Sequence, residues 1–318
     1  MERTTLTTKA SKDYELLDSG GEEKLERYGA VVLARPDPQA LWVKRLPEGE
    51  WQKASGRYER SAKDGSWVGE LPKEWQIEFG VLQFIIRPTS FKHTGLFPEQ
   101  LANWKWVKEI ITQNLPSQKS SGVLGSPVVE ASLDRQTLRQ TFVQKDFAPS
   151  VLNLFAYTGG ATLAAAQAGA EVCHVDASKV AVAWARENAA ASGLADRPVR
   201  WIVEDALVFV KREIQRGKRY DGIVMDPPAF GHGPKKELWK IEEDFVELVR
   251  LCGELLSPQP LFFLINGYAA GYSPLAFAYN LDFLTKKFGG EVEYGDLTIA
   301  ESNGERVLPC GIFARWKK

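Results

Sequence analysis

Two stretches of this 318-residue chain combine residue types that can do chemistry. The first is YDGIVMDPPAF, an apolar run ending in Asp226-Pro227-Pro228-Ala229-Phe230. The prolines have no N–H and stiffen the backbone, which leaves carbonyls to accept from a ligand. Asp226 and the Pro227 carbonyl can flank a planar nitrogen while the ring of Phe230 stacks on its plane. The second stretch is VLNLFAYTGGATLAAA, residues 151–166: buried strand, glycine turn, helix. At Gly159-Gly160 main-chain amides can approach a ligand that a side chain would keep away. The next apolar run ends in Asp176, where a carboxylate can accept from both hydroxyls of a ribose. The pair of features implies a nucleoside-bearing ligand.

Three classes of such ligand compete. A phosphate-binding loop requires GxxxxGK[ST], which the chain lacks, and a dinucleotide site requires GxGxxG, where this turn has only two adjacent glycines. S-adenosylmethionine, with an adenosine and an amino-acid tail but no phosphate, ranks ahead of both. The plain alternatives are glycines that serve close packing alone and prolines that merely end a strand. Taken together, the two stretches favour methyl transfer to a nucleobase.

The elements that must position these residues are legible as hydrophobic runs. Strands are predicted at 151–155, 171–176, 199–204, 222–226 and 261–265, with helices between them at 161–168, 179–191, 206–215 and 238–255. Apolar strands alternating with helices imply a parallel sheet covered on both faces. After a helix at 275–288, runs at 291–300 and 306–315 are joined by a short Ser-Asn-Gly turn and should pair antiparallel. Residues 14–90 differ. Short strands at 28–34, 40–45, 50–54, 56–60, 77–79 and 82–86 are punctuated by Gly, Pro and Asp, which suggests a small β module. Its Trp42, Trp51, Trp67 and Trp75 read as core more than as a base-stacking surface. A helix at 98–112 presents Leu101, Trp104, Val107 and Ile111 on one face, and Asn114 to Ser126 reads as a connecting loop. The expected domains are therefore 1–90, β-rich and substrate-recognising, and 91–318, catalytic.

Composition bounds the rest. With 44% hydrophobic and 25% charged residues the chain is globular, and no apolar run approaches the roughly 18 to 20 residues of a membrane span. The amino terminus has no apolar segment of the secretory kind, so a cytoplasmic location is expected. Three scattered cysteines and three scattered histidines suggest neither disulfides nor a metal site. The net charge is −1, and neither side of residue 147 is strongly basic, so RNA contact must use local clusters.

These motifs carry a resemblance. NLFxYTGG, VDxS and DPPxF, met here as Asn153–Gly160, Val175–Ser178 and Asp226–Phe230, resemble the class I S-adenosylmethionine-dependent methyltransferases, in particular the bacterial 23S ribosomal RNA methyltransferases. The likeness covers nearly all of residues 90–318 and extends upstream through YELLDSGGEEKLERYG and HTGLFPEQ. It implies a Rossmann-like α/β fold, a mostly parallel seven-stranded sheet with one antiparallel strand, beside the small β domain. It also implies S-adenosylmethionine as cofactor, with Phe155, Tyr157, Thr158 and Gly159 around its methionine part, Asp176 at its ribose, and Asp205 and Ala206 at its adenine. Asp226, Pro227 and Phe230 would be catalytic. The segment from Thr94 to Gln100 would close over the cofactor, with Gln100 as a polar contact. RNA, with ribosomal RNA foremost, would be the partner.

Two departures qualify this. Relatives that methylate a pyrimidine carbon use a cysteine after the fifth strand, where this chain has Asn266-Gly267, and Cys173 and Cys252 read as structural. Transfer to a base nitrogen is therefore expected. The additional amino-terminal RNA-binding domain of some relatives is not expected, which shifts recognition to the β module, with Arg57, Arg60, Lys63, Lys92 and the tail Arg315-Trp316-Lys317-Lys318 as contacts. The rival readings are a methyltransferase for protein side chains or small molecules, and a non-catalytic RNA-binding or assembly protein. A nicotinamide-dependent dehydrogenase would leave DPPAF unexplained.

Overall fold

The computed structural model describes residues 1–60, 65–115, 148–268 and 271–318. In chain order, β1 (Glu2–Thr8) is followed by β2 (Tyr14–Gly20), β3 (Glu23–Tyr28), β4 (Val31–Pro36), α1 (Glu48–Trp51), β5 (Gly56–Arg60), β6 (Gly65–Gly69), β7 (Trp75–Phe79) and β8 (Leu82–Ile86). A 3-10 turn, Pro98–Gln100, leads into α2 (Leu101–Gln113). Then come β9 (Ser150–Leu154), α3 (Gly160–Gln167), β10 (Glu171–Asp176), α4 (Lys179–Ala191), β11 (Val199–Val203), α5 (Ala206–Gln215), β12 (Gly222–Met225), β13 (Phe230–His232) and β14 (Leu238–Lys240). The chain ends with α6 (Ile241–Leu255), β15 (Phe262–Gly267), α7 (Pro274–Tyr279), α8 (Asp282–Phe288), β16 (Glu291–Ala300) and β17 (Val307–Lys317). No helix among the described residues is long and apolar enough to cross a membrane.

The fold is the Rossmann-like sheet that the alternating runs imply. Seven strands lie in the order β16-β17-β15-β12-β9-β10-β11, and β17 alone runs against both its neighbours. An eighth strand, β1, adds itself parallel to β16 at the edge. Both faces are covered, as buried parallel strands require. On β9, Leu152 and Leu154 enter the core beneath α5, α6, α7 and α8, and Val151 enters the core shared with α2 and α3. Ser178 and Asp205 begin α4 and α5 by accepting from the main-chain N–H of Ala181 at 3.2 Å and Val208 at 3.0 Å.

The β module is a five-stranded sheet, β2-β3-β4-β5-β6, with the β7-β8 hairpin beside it. The hairpin is fastened to α4, where the Asn188 and Ser192 side chains accept from the main-chain N–H of Ile85 and Gln83, each at 2.9 Å. The four tryptophans are structural. Trp51 is fully buried, and the other three pack against the core. All four indole N–H groups are bonded, to Ser19, Asp18, Thr89 and Tyr28.

Several predicted elements differ. Residues 28–34 span two strands, because Gly29 turns the chain at φ +63°. Residues 40–45 are irregular, and their carbonyls at Ala40 and Trp42 accept from Glu22 and Gly21 instead of a ladder. Glu50 to Ala54 is no strand. It overlaps the short helix α1, whose first turn carries Glu48 and Glu50 where the helix dipole favours acids, and which buries Trp51. The stretch 238–255 divides into β14, paired with β13, and α6. The helix at 275–288 breaks into α7 and α8 at Asn280-Leu281. Lys63 and the connector from residue 116 onward lie outside the described residues.

Candidate active site

A cavity of about 880 Å³ opens at the carboxyl ends of β9, β10 and β12, the position where open α/β sheets bind ligands. Register explains what it gathers. Leu154 on β9 is opposite Val175 on one side and Met225 on the other, so Asp176 and Asp226, the next residues of the flanking strands, stand either side of Phe155. Both carboxyl groups line the cavity.

The turn after β9 is held in an uncommon backbone shape. Phe155 and Tyr157 take φ of +53° and +48°, conformations that cost side-chain-bearing residues roughly 1 to 3 kcal/mol each. The strain aims the Tyr157 N–H at Asp176 Oδ2, at 2.8 Å, while Oδ1 accepts from Ser178 N–H at 2.8 Å. Burial raises the Asp176 pKa, and these two donors work against the rise. Each oxygen has a further lone pair for a ribose hydroxyl. Gly159 needs its glycine for φ +91°, and at Gly160 a side chain would run into the Trp104 indole. The second glycine thus serves the packing of α3 on α2.

Asp226 is the most perturbed acid of the site. Burial, with Glu99 adding like charge, pushes its carboxyl up to about 8. Oδ2 lies 3.5 Å from Gln100 Nε2, and Oδ1 is buried with no partner among the described residues. Gln100 is fixed by the Tyr268 hydroxyl, 2.8 Å from its Nε2. Beyond it, Asn103 donates to Asn266 at 2.8 Å and accepts from Arg315 at 3.1 Å.

The sequence-predicted residues divide between two connected spaces. Phe155, Tyr157, Asp176, Asp205, Ala206, Asp226 and Pro227 line the large cavity. Thr158, Gly159 and Gln100 line a small space of about 70 Å³, which shares Phe155, Tyr157 and Asp226 with the first. Thr158 spends its hydroxyl on the Gly95 carbonyl at 2.6 Å, tying the turn to the segment from Thr94 to Gln100. Asp205 both caps α5 and faces the cavity. Phe230 is not in the wall. It is 56% exposed at the start of β13, edge-on to His232, while Gly231 and His232 reach the cavity. Nor are both proline carbonyls free, because Trp239 Nε1 donates to Pro228 O at 2.7 Å; the Pro227 carbonyl receives no bond among the described residues.

Sequence reasoning missed part of the wall. Trp239 packs on Phe155 with ring centroids 4.9 Å apart, and Phe97 packs on Tyr157 and Tyr268. Glu99 and Cys310 also line it, together with Lys24, Arg35, Lys92 and His93 from the β-module side. Three of these had a signal: Lys92 as an expected recognition contact, and Phe97 and Glu99 as members of the segment from Thr94 to Gln100. The carboxyl-terminal cluster does not take part: Arg315 is buried on β17 and ion-paired with Glu293 at 2.7 Å, Trp316 is fully buried, and Lys317 pairs with Glu291. Arg57 is likewise paired, with Glu23.

Known proteins share this architecture. The family of S-adenosylmethionine-dependent methyltransferases matches residues 76–278. The crystal structure of the SAM-dependent methyltransferase from Agrobacterium tumefaciens is 34% identical, covers 99% of this chain and 95% of its own, and superposes with a TM-score of 0.85. SMU.776, solved with SAH, is 19% identical over 96% of this chain and 76% of its own, with a TM-score of 0.64, and shares the fold. Curated relatives named ribosomal RNA large subunit methyltransferase K/L, from Shewanella sp. MR-4 and Shewanella frigidimarina, are 33% identical over 47% of this chain. The match spans only 22% and 21% of those longer proteins. The cavity suits the cofactor of this family, since it is lined by an acid, Asp176, with lone pairs open to a ribose, by aromatic side chains, and by Asp226, whose Oδ1 has no partner among the described residues. The chain belongs to the S-adenosylmethionine-dependent methyltransferases.

Proposed function

We propose that the chain methylates a nitrogen of a base in RNA, ribosomal RNA foremost, without a cysteine nucleophile. The observation that carries this reading is Asp226 Oδ1 beside the Pro227 carbonyl, neither of them partnered among the described residues. With the carboxyl ionised, as a bound sulfonium favours, these two acceptors suit an acceptor nitrogen that bears hydrogen. The name of the Shewanella relatives supports RNA as the substrate class.

The cysteines support direct transfer. Cys173 and Cys252 are buried away from the cavity, and burial pushes the Cys173 thiol up to about 11. Cys310, which sequence reasoning left unweighed, is in the cavity wall. Burial and then the nearby Glu99 raise its pKa well above the ordinary thiol value, and its sulfur lies 3.4 Å from the Leu308 carbonyl. A thiol so placed stays protonated and is a poor nucleophile.

When bound, the cofactor supplies an electrophilic methyl group on a positively charged sulfur. Asp176 and the Tyr157 turn would fix its ribose and orient it, Phe155 and Trp239 would exclude water, and Asp205 and Ala206 would border the adenine. Asp226 and the Pro227 carbonyl would hold the acceptor N–H groups so that the nitrogen lone pair points along the line of transfer. A carboxyl near 8 is matched to take up the proton that the methylated nitrogen sheds. The work would divide between the β module, which begins after β1 because that strand joins the large sheet, and the sheet itself, the module shaping the acceptor side.

The test is label transfer. Protein with tritiated S-adenosylmethionine is incubated with ribosomal RNA, cell protein and small metabolites from a strain lacking it. Label is expected in RNA, in a nucleoside methylated on nitrogen, and absent with Asp226→Ala. Label confined to protein or metabolites, or tight RNA binding with no transfer, overturns the reading.

A further inference from the structure

Three cations of the β module face the cavity that holds Asp226: Lys24, Arg35 and Lys92. They are built in. Arg35 is 5% exposed, with Nε on Glu26 at 2.8 Å, Nη2 on the Tyr28 hydroxyl at 2.8 Å and Nη1 on the Lys92 carbonyl at 3.1 Å. The Lys24 ammonium is 3.3 Å from Asp37 and 3.8 Å from Glu26. Lys92 sits in a left-handed conformation, φ +64°, and its ammonium donates to the Pro36 carbonyl at 3.1 Å. No carboxylate among the described residues lies within 4.0 Å of that ammonium.

The cluster is therefore short of negative charge: among the described residues two carboxylates, Glu26 and Asp37, pair with its three cations, and the third acid in reach of Lys24 and Arg35, Glu99, is held towards its neutral form by burial. Arg60 adds to the same field. Burial first, then Lys24, Arg35 and Arg60, bring Lys92 down to about 8 against the pull of Asp37, and burial with Arg35, Lys92 and Lys24 brings His93 down to about 4. Such a desolvated excess of positive charge is a standing cost that an incoming anion removes. The same cavity is also lined by two acids, the buried Glu99 and the half-buried Asp226. An acidic floor and a basic wall fit a ligand with N–H groups at one end and a phosphate at the other, and oppose its reverse placement.

We propose that Lys24, Arg35 and Lys92 form a seat for the phosphate of a nucleotide acceptor, held there while its base reaches Asp226. The proposal rests on the nucleic-acid reading above and extends it from the base to the backbone. A phosphate gains charge-assisted hydrogen bonds from three different side chains, one of them a preorganised guanidinium. The cofactor's own carboxylate is the competing anion.

The experiment separates these. Protein saturated with S-adenosylhomocysteine is titrated calorimetrically with each of the four ribonucleosides and their 3′- and 5′-monophosphates. At least one monophosphate is expected to bind about tenfold or more tightly than its nucleoside. Lys92→Gln should erase most of that gain and Lys92→Arg should keep it, with S-adenosylhomocysteine affinity unchanged in both. The salt dependence of RNA binding should also flatten by about one unit in Lys92→Gln. Equal binding of nucleosides and monophosphates, no detectable monophosphate binding, or a gain that survives Lys92→Gln overturns the seat. Loss of S-adenosylhomocysteine affinity in Lys92→Gln assigns the cluster to the cofactor and also overturns it. None of these readouts requires methyl transfer, so an RNA-labelling failure in the wild type counts against the proposed substrate alone.

Discussion

Asp176 and Asp226 flank Phe155 from opposite sides, each one residue past the strand position paired to Leu154, and both open into one cavity. The separation of tasks between them follows from their surroundings. Asp176 is supplied with two main-chain donors, and Asp226 keeps a buried oxygen that has none among the described residues.

Asp176→Ala should therefore act on cofactor binding. It removes a ribose partner and orphans the Tyr157 and Ser178 amides, a loss of about 1.5 to 3 kcal/mol, or roughly 10- to 150-fold in affinity. Calorimetry with S-adenosylhomocysteine reads this directly, and affinity within threefold or so of wild type would remove Asp176 from the site.

Asp226→Asn should abolish turnover, by about a hundredfold or more, and yet stabilise the fold. The folded-state pKa of Asp226, about 8, lies above its ordinary 3.8. The carboxyl thus costs nothing in acid and progressively more as pH rises from about 4 to about 8, because the unfolded chain ionises first. At neutral pH the amide should raise stability by about 1 to 3 kcal/mol. Urea titrations at pH 5 and pH 8 test it: the advantage of the variant must grow with pH.

A sulfonium beside Asp226 favours the carboxylate, so the group should release a proton when S-adenosylmethionine binds near pH 7 and much less when S-adenosylhomocysteine does. Titrations in buffers of different ionisation heat count the protons. Equal release for the two ligands, or a difference that persists in Asp226→Asn, would contradict this.

His174 provides a pH response unrelated to the chemistry. It is fully buried under the Gly159 turn, Nδ1 lies 2.9 Å from the Thr162 hydroxyl, and burial brings its pKa down from 6.5 to about 3. A depressed base contributes stability above pH 6.5 that is lost as pH falls towards 3, at about 1.4 kcal/mol per unit. His174→Gln should flatten that slope between pH 6 and 4, measured by urea denaturation.

Gly160→Ala should destabilise by about 1 to 3 kcal/mol through overpacking against Trp104 while Gly159 keeps the turn. Thermal unfolding checks the first part. A paired Trp104→Leu substitution that recovers the loss would locate the strain between α3 and α2.

The parts of the fold visible in the sequence were those whose pattern is set by burial on two sides. Strands β9, β10, β12 and β15 read as apolar runs, with Asp176 and Asp226 as polar ends; β11, at the sheet edge and with no buried residue, was legible from its place in the alternation of strands and helices. What stayed hidden depends on partners far away in the chain. Nothing in ERTTLTT distinguishes β1 from a loop until β16 is beside it. Arg315 looked like a basic tail because Glu293 and Asn103, which neutralise and bury it, stand on other elements. Lys24 and Arg35 are ordinary surface letters until the β module folds them inward beside Lys92, which alone of the three was expected to meet substrate.

The strand β1 has a last consequence. Its ladder partner β16 is among the final elements of the chain, and Glu301, just past β16, accepts from the Ser19 N–H at 3.0 Å. During synthesis on the ribosome β1 must therefore wait, unzipped, until β16 has emerged after it. Once both seams close, the β module is moored to the large sheet by contacts 282 residues apart in the sequence, which tie it down at more than one point.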